Sequence, residues 1–256
     1  MEIARKPVSR AWQSTAVGIY WRVLALDRFD LDASILDPFE RTRATRFHFY
    51  RDRHRYIAAH VAMRLSLCEV LDLLPAQLVV SHAPNGKPML PKDCGWVFNF
   101  SHSEDIAIIA AAPSTETDDI GIDIERTRRV SEWRSLAQIT FSEVEKHSIR
   151  EVPFASASQT FLRCWTRKEA CVKALGTGLT ISINGFTAGV GPEEVSVDIE
   201  ADGFRHSLQV RTLFDDDRSI AALAWRPRET SGHLRNNRYY RSQVDMAAET
   251  ELSPWT

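Results

Sequence analysis

Apolar and polar positions along the chain form blocks that differ in their period. Residues 17–26 and 120–124 are short runs rich in β-branched or aromatic side chains, which is typical of buried strands. Between them, a longer region that begins at Pro38 carries apolar side chains at steps of three and four residues, as an amphipathic helix does. The stripe of that helix is predicted to consist of Ile57, Val61, Leu65, Cys68 and Leu71.

The same two patterns predict the remaining elements. In chain order these are strands at 78–80, 97–100 and 106–111, helices near 131–149 and 155–175, and strands near 195–199, 205–211 and 219–225. Gly176 stands where a cap that ends the helix at 155–175 is expected. A strand, helices and further strands therefore occur twice, which predicts an α+β fold of two similar halves that pack face to face.

The chain divides at a polar, turn-forming segment in its middle. We predict an N-terminal half at 1–112, a linker at 113–119 and a C-terminal half at 120–226. From 227 onward the sequence becomes polar and loses its apolar period. Residues 227–256 are therefore predicted to form a loosely ordered tail.

Composition limits the class of protein. With 256 residues and 44% hydrophobic content, the chain can bury a substantial core. The 32 basic and 34 acidic residues give a net charge of -2, so neither nucleic acid nor a membrane surface is expected as a partner. No apolar run is long enough to span a bilayer, and residues 1–10 hold no apolar signal segment, so the expected location is the cytoplasm. The four cysteines form no C-x-x-C pair, which argues against a zinc site or a disulfide framework.

Candidate chemistry begins at the end of the strand at 120–124. Asp123 and Glu125 are two residues apart, so strand alternation turns both side chains to the same face. Two neighbouring carboxylates repel each other unless a cation lies between them, and oxygen ligands suit a hard ion such as Mg²⁺. The alternative is a solvated sheet edge that binds no ion.

The helix at 155–175 supplies a third carboxylate. Glu169 and Lys173 stand four residues apart, so they are neighbours on one helical face, with Trp165 one turn earlier and Lys168 beside them. Glu169 is therefore a candidate third ligand. The alternative is an ordinary exposed ion pair between Glu169 and Lys173, which supports the helix and does no chemistry.

Four short motifs resemble those of the 4'-phosphopantetheinyl transferases. Ile120-Gly-Ile-Asp123 matches the signature (V/I)-G-(I/V)-D, and Trp165-Thr-Arg-Lys-Glu-Ala-Cys-Val-Lys173 matches (F/W)-(S/C/T)-x-K-E-(S/A)-x-x-K at every specified position. Two smaller motifs of the surfactin-synthetase-activating (Sfp-like) type are present as Gly86-Lys87-Pro88 and Asn99-Phe100-Ser101-His102-Ser103. The resemblance covers roughly residues 15–226, and the order of the four motifs makes it specific.

This resemblance implies a fold, a reaction and its partners. The implied fold is two α+β halves in a pseudo-twofold arrangement, with the active site in the cleft between them. The implied enzyme is a monomeric, magnesium-dependent holo-acyl-carrier-protein synthase, with Mn²⁺ as the alternative ion. It would move phosphopantetheine from coenzyme A to a serine of an apo acyl- or peptidyl-carrier protein and release 3',5'-ADP, in fatty-acid, polyketide or nonribosomal peptide synthesis.

The resemblance also implies roles for particular residues. The implied metal ligands are Asp123, Glu125 and Glu169. The implied catalytic residues are Glu169, which would act as the base directly or through a metal-bound water, Lys173 and, as a second candidate for the base, Glu145. For Glu145 there is an alternative explanation, because Ser142 and Glu145 fit a capping box at a helix start.

Coenzyme A would be bound by residues from both halves of the chain. The implied contacts are Arg55, Lys87, Pro88, Ser101, His102 and Lys168, with Arg55 at the 3'-phosphate. Upstream of Arg55, this chain has Phe39 and Thr42 where relatives have lysines, with Arg41 and Arg43 beside them.

Two other functions would use much the same residues. A catalytically silent protein of this fold would bind coenzyme A and transfer nothing, whereas a metal-dependent phosphoesterase would use water as the acceptor. The complete set of Asp123, Glu125, Glu169 and Lys173 favours the transferase, because binding alone requires no metal-centred reaction site.

Overall fold

Two four-stranded antiparallel sheets, one two-stranded hairpin and five α-helices form the regular structure of the part of the chain that the structure describes. The structure is a computed structural model, and it describes residues 11–28, 32–83, 86–176 and 181–228. The strands and helices are, in chain order, β1 (Gln13–Ser14), β2 (Tyr20–Ala25), α1 (Pro38–Ala44), α2 (Tyr50–Leu71), β3 (Ser81–His82), β4 (Pro88–Met89), β5 (Trp96–Ser103), β6 (Ile106–Pro113), β7 (Ile120–Arg126), α3 (Trp133–Thr140), α4 (Glu143–Arg150), α5 (Phe154–Leu175), β8 (Val195–Ala201), β9 (Phe204–Asp215) and β10 (Ser219–Trp225).

The first sheet has the strand order β1-β2-β6-β5, and α2 packs on one of its faces. Met63 and Leu67 of α2 share an apolar cluster with Leu24 and Ile109 of the sheet. The predicted stripe on this helix is partly wrong, because Ile57 and Leu65 are only half-buried. Leu71 is also half-buried but packs against the cluster, as predicted. Much of the contact is made instead by small residues of α2, which let the helix lie close to the sheet.

Buried charges join α1 to α2. Glu40 of α1 is 0% exposed, and its carboxylate accepts a hydrogen bond from Arg64 Nε at 2.6 Å and lies 3.0 Å from His60 Nδ1. Arg64 also donates to Asp37, the residue that caps α1, at 2.6 Å. Burial alone would raise the pKa of Glu40, but His60, the backbone and Arg64 together hold it below its usual value. The pairing lets a charged carboxylate remain inside the fold.

The second sheet has the order β7-β10-β9-β8 and carries α5 on one face. The helix comes very close to β7 at Gly121, where a Cβ atom would lie 2.0 Å from the Ala170 carbonyl oxygen and 2.3 Å from the Ala174 nitrogen. Only glycine fits there. The helix ends at Gly176, whose φ is 69° and whose N–H bonds to the Val172 carbonyl, as predicted for a left-handed cap.

A shared core and polar side chains join the two sheets. One apolar cluster contains Trp21 and Ile108 of the first sheet together with Ile122 and Leu223 of the second. Beside this cluster, the side-chain oxygen of Asn99 on β5 accepts a hydrogen bond from the Ile122 N–H at 3.1 Å. The edges of the two sheets therefore meet where β5 lies against β7.

The predicted α+β fold is confirmed, although several element bounds differ. The strand predicted at 78–80 is wrong, since the paired residues are Ser81 and His82. The helix predicted near 131–149 is two helices, because Ser142 forms a capping box with Glu145 and starts α4. Strand β5 continues to Ser103, beyond the predicted end.

Some predictions stay open. The pseudo-twofold arrangement and the division at 113–119 remain predictions, although each sheet pairs its first long strand with its last, β2 with β6 and β7 with β10. Nearly all of the tail predicted at 227–256 lies outside the described residues. None of the described helices is both long and apolar enough to cross a bilayer.

Candidate active site

Two adjoining cavities bring together residues from distant parts of the chain. The larger, of about 430 Å³, is lined by Arg43, Gly86, Lys87, Pro88, Asn99, Phe100, Trp165, Glu169, Val172, Lys173, Gly176, Ile181 and Ile183. The smaller, of about 330 Å³, shares Arg43, Gly86, Pro88, Phe100 and Lys173 with it and adds Ser101 and His102, among others. All four sequence motifs contribute to this region or to the groups directly bonded to it.

One face of α5 turns Trp165, Glu169 and Lys173 into the larger cavity, as their four-residue spacing predicts. The ordinary ion pair between Glu169 and Lys173 is not what the helix forms. Lys173 Nζ lies 2.6 Å from Asp123 Oδ1 and 2.8 Å from Ser101 Oγ, so its charge is directed at the first motif.

Asp123, Ser101 and Lys173 form a hydrogen-bonded group at the base of these cavities. Ser101 Oγ donates to Asp123 Oδ1 at 2.8 Å. Asp123 is only 5% exposed, and burial raises the pKa of its carboxyl although Lys173 and Ser101 act in the opposite direction. Its second oxygen, Oδ2, is buried and has no hydrogen-bond partner within the described residues.

Glu125 follows on the same face of β7. Its Oε2 accepts hydrogen bonds from Ser103 Oγ and from Arg128, each at 3.0 Å. Neither Asp123 nor Glu125 lines the two cavities, and Asp123 reaches them through Ser101 and Lys173. Glu169 is the one predicted metal ligand that lines a cavity directly.

The donor set of Asp123, Glu125 and Glu169 fits a hard cation. Burial, then the charge of Asp123, raises the pKa of Glu169, and Glu125 adds to the shift. Oxygen ligands of this kind, one of them a buried carboxylate oxygen without a partner among the described residues, suit a divalent ion, although Lys173 and Arg128 already pair with Asp123 and Glu125 in the structure.

A different group has the more convergent ligand atoms. Asp37, Glu40 and His82 each offer one ligand atom, and these three atoms lie within 4.8 Å of one another. Among the described residues, no other set of histidine, cysteine or acidic side chains does so. Arg64 forms ion pairs with both Asp37 and Glu40 at 2.6 Å, so a guanidinium already lies between these two carboxylates. This group therefore serves the α1–α2 contact.

Lys87 joins the β3–β4 hairpin to the end of α5. Its Nζ donates to the Lys173 carbonyl oxygen at 2.5 Å, one of the last carbonyls of the helix, which have no partner within it. Burial lowers the pKa of its ammonium, with a partial opposing effect from Asp119. Gly86 has a φ of 84°, which glycine adopts without strain. Residues 84 and 85, which precede the Gly86-Lys87-Pro88 motif, lie outside the described residues.

His102 lies in the smaller cavity as a neutral imidazole. Desolvation of its ring by the cavity walls, with His60 and Lys173 close by, lowers the pKa of His102 to about 4, although the residue as a whole is exposed to solvent. At neutral pH it is therefore a hydrogen-bonding group without charge. It lies on β5 with Ser101, and not on the loop that the sequence predicted.

Arg43 was missed as a site residue by the sequence analysis. It lines both cavities, and its guanidinium lies 3.3 Å from where a Cβ atom on Gly86 would stand. The sequence feature that could have identified it is the set of closely spaced arginines Arg41, Arg43 and Arg46. Phe39 and Thr42, at the positions of the family lysines, line an adjoining cavity of about 420 Å³ with Arg43 and Arg46.

Besides Asp123 and Glu125, three predicted site residues do not line the cavities. Arg55 Nε lies 3.7 Å from Asp27 Oδ1, and Arg55 is absent from both linings. The side chains of Lys168 and Glu145 are 0% and 1% exposed and form an ion pair with each other at 2.8 Å. The capping-box explanation of Glu145 is confirmed, and the geometry gives no support to a direct contact between coenzyme A and Lys168.

Two family models match the chain. Residues 119–205 match the model of the 4'-phosphopantetheinyl transferase superfamily, and residues 21–114 match that of the N-terminal region of 4'-phosphopantetheinyl transferases. The two matches fall on the second and first sheets. The chain belongs to the 4'-phosphopantetheinyl transferase superfamily.

Individual relatives cover most of the chain. Over 204 residues it is 32% identical to the 4'-phosphopantetheinyl transferase HetI of Nostoc sp.. The aligned region covers 77% of this chain and 83% of HetI. Two 4'-phosphopantetheinyl transferases of Bacillus subtilis, ffp and Sfp, are each 28% identical to this chain. The alignment with ffp covers 82% of this chain and 92% of ffp, and the alignment with Sfp covers 71% of this chain and 80% of Sfp.

Proposed function

We propose that this protein transfers the 4'-phosphopantetheine group of coenzyme A to a serine hydroxyl of an apo acyl- or peptidyl-carrier protein and releases 3',5'-ADP. Membership of the superfamily supports the reaction. The observation that carries the proposal is the Asp123–Ser101–Lys173 group, in which Ser101 of the first sheet and Asp123 of the second both bond to the ammonium of Lys173, a residue that lines both cavities.

The reaction forms a bond from the serine oxygen to the β-phosphorus and breaks the bond from that phosphorus to the oxygen that leaves with 3',5'-ADP. A magnesium ion, or manganese in its stead, would be held by Asp123, Glu125 and Glu169 and would neutralise charge on the pyrophosphate. The unpartnered Oδ2 of Asp123 supports this assignment.

The serine proton needs an acceptor near the cavity. Glu169 lines the cavity, and its raised pKa makes it a better proton acceptor than an ordinary carboxylate. The ammonium of Lys173 would stabilise the charge that develops on the departing phosphate, or protonate it. Glu145 is enclosed in an ion pair, so the proposal assigns no proton transfer to it.

Coenzyme A would lie along the two cavities. Arg43 and Lys87 offer positive charge to its phosphates, while Ser101 and His102 offer hydrogen bonds beside them. The larger cavity also has apolar walls at Trp165, which suit the pantetheine arm. Contact between Arg55 and the 3'-phosphate stays a prediction, and would require the guanidinium to leave Asp27.

Incubation with coenzyme A and Mg²⁺, with and without an apo carrier protein, tests the proposal. We expect the carrier to gain mass as its serine is modified, and 3',5'-ADP to form only when carrier is present. Release of 3',5'-ADP without carrier would indicate a phosphoesterase, and binding of coenzyme A without release would indicate a catalytically silent protein. A panel of fatty-acid, polyketide and peptide-synthetase carriers would then identify the pathway.

A monomer in the cytoplasm remains the expected setting. The four cysteines are free thiols in the structure, which is compatible with a reducing compartment. Gel filtration and fractionation of the source cells would test the two parts separately.

A further inference from the structure

We infer that Lys168 and Glu145 form a positioning pair that holds residues 181–189 as the wall against which the pantetheine arm of coenzyme A lies. The inference rests on the proposed function. It gives the pair an indirect role, in place of the direct contacts that the motifs imply.

The pair is fully enclosed. Lys168 Nζ lies 2.8 Å from Glu145 Oε2, with the side chains 0% and 1% exposed. Lys168 is on α5, immediately before Glu169, and Glu145 is in the first turn of α4. Since water reaches neither charge, each must be satisfied by groups within the fold.

Lys168 uses its remaining hydrogen bonds on one segment of chain. Its Nζ donates to the carbonyl oxygen of Ile183 at 2.8 Å and to that of Phe186 at 2.5 Å. It also lies 4.3 Å from the centre of the Phe186 ring. The ammonium therefore holds the backbone of residues 183–186, in the first part of this segment, through two carbonyl oxygens.

Glu145 fixes the other end of the same segment. Its Oε1 accepts hydrogen bonds from the Ala188 N–H at 2.7 Å and the Gly189 N–H at 3.1 Å. Arg167, the neighbour of Lys168, adds a bond from its Nε to the Ala188 carbonyl at 2.7 Å. Three buried charged side chains thus bond backbone groups of a single short segment.

That segment has little regular structure of its own. Between 181 and 189 the chain forms only a short 3-10 turn, Ile183–Gly185, and pairs with no strand. Ile181 and Ile183 nevertheless line the larger cavity with Trp165 and Val172. These apolar side chains suit the pantetheine arm and offer nothing to a phosphate, so the pair positions the part of the site that holds the arm.

The pair also ties this wall to the reacting groups. Lys168 and Glu169 are consecutive residues of one helix, so a bond from Lys168 to the wall fixes the wall relative to Glu169. Loss of the pair should therefore loosen the hold on the arm and leave the nucleotide contacts of Arg43 and Lys87 unchanged.

The test is the double variant Lys168→Met with Glu145→Gln, in which no buried charge is left unpaired. The glutamine keeps an oxygen for the two N–H groups, whereas the two carbonyls lose their donor. We expect the KM for coenzyme A to rise about tenfold, the effect of losing charge-assisted hydrogen bonds. The inhibition constant of 3',5'-ADP, which lacks the arm, should not change.

Two further variants complete the experiment. Lys146→Met with Glu143→Gln removes the other ion pair of α4, formed at 2.8 Å with an exposed carboxylate, and should change neither constant. Ile183→Ala alters the wall without changing any charge and should raise the KM for coenzyme A alone. If circular dichroism shows that the double variant is unfolded, Ile183→Ala still tests whether the wall contacts coenzyme A.

Either of two results would overturn the inference. The first is an unchanged KM for coenzyme A in the folded double variant or in Ile183→Ala. The second is equal weakening of coenzyme A and 3',5'-ADP, which would indicate general damage to the site. A wild-type protein that transfers nothing would instead remove the proposed function, and calorimetric binding of coenzyme A and 3',5'-ADP to the same variants would still test the pair.

Discussion

Asp123 is the carboxylate on which the proposed chemistry depends most. One of its oxygens is shared by Ser101 and Lys173, and the other is buried without a partner among the described residues. A neutral side chain of the same shape would keep the packing and remove the charge. This separates its role in the reaction from any role in folding.

Asp123→Asn and Glu169→Gln should each lower kcat/KM by at least about a hundredfold, a loss of a few kcal/mol of transition-state stabilisation. The measurement is carrier modification at saturating Mg²⁺. Glu200→Gln, on the exposed side of β8, is the matched control and should behave as the wild type. Near-normal turnover of Asp123→Asn would remove this residue from the set of metal ligands.

Arg43 and Arg55 are distinguished by their surroundings. Arg43→Ala should raise the KM for coenzyme A and for 3'-dephospho-coenzyme A by about tenfold or more, because a charge-assisted contact contributes about 1.5–3 kcal/mol. Arg55→Ala should weaken the use of coenzyme A and hardly affect 3'-dephospho-coenzyme A, which has no 3'-phosphate to hold. Equal losses on both substrates would show that Arg55 serves Asp27 and the fold.

Sequence predicted the residues whose geometry is local. Trp165, Glu169 and Lys173 were identified because helical spacing alone puts them on one face. The role of Arg43 was left open, and the contact predicted for Lys168 has no support in the geometry, because a charged residue looks the same in sequence whether it faces a cavity or a buried carboxylate. That distinction is made by tertiary packing.

At the scale of elements, the site depends on the close packing of α5 on β7. This packing depends on Gly121, because a methyl group there would collide with two backbone atoms of the helix. The glycine of the first motif and the helix of the second are thus one packing unit. The distance between Asp123 and Lys173 follows from it.

Gly121→Ala should destabilise the protein by at least about 1–3 kcal/mol, since the helix must move to admit the added carbon. Urea unfolding followed by circular dichroism measures the change. The control is Gly185→Ala, where the added Cβ would lie 3.5 Å from Ser182 Cβ, an ordinary contact. Equal stability of the two variants would mean that α5 packs less closely on β7 than the structure indicates.

Element type was more predictable than element bounds. The fold class and the long strands followed from the period of apolar residues, which reflects burial on one face or two. The helix predicted near 131–149 runs across the break between α3 and α4, although the capping box of Ser142 and Glu145 already indicated a helix start at that point. The start of the β3–β4 hairpin was misjudged, since strands of two residues carry no period.

For the whole molecule, the decisive feature is the apolar cluster to which both sheets contribute. Neither sheet can cover its own share of this cluster. We therefore expect one cooperative unfolding transition in scanning calorimetry, with the calorimetric and van't Hoff enthalpies equal. Two resolved transitions would show that the halves unfold as separate domains.

The row of polar side chains along β5 has a further consequence. Asn99, Ser101 and Ser103 occupy alternate positions of the strand, and each bonds to β7, the last two through Asp123 and Glu125. The row that bonds the two carboxylates proposed as metal ligands also fastens one sheet to the other. Selection for turnover and selection for assembly therefore act on the same few atoms, so we expect evolutionary drift along this seam to be slower than on the outer faces of either sheet.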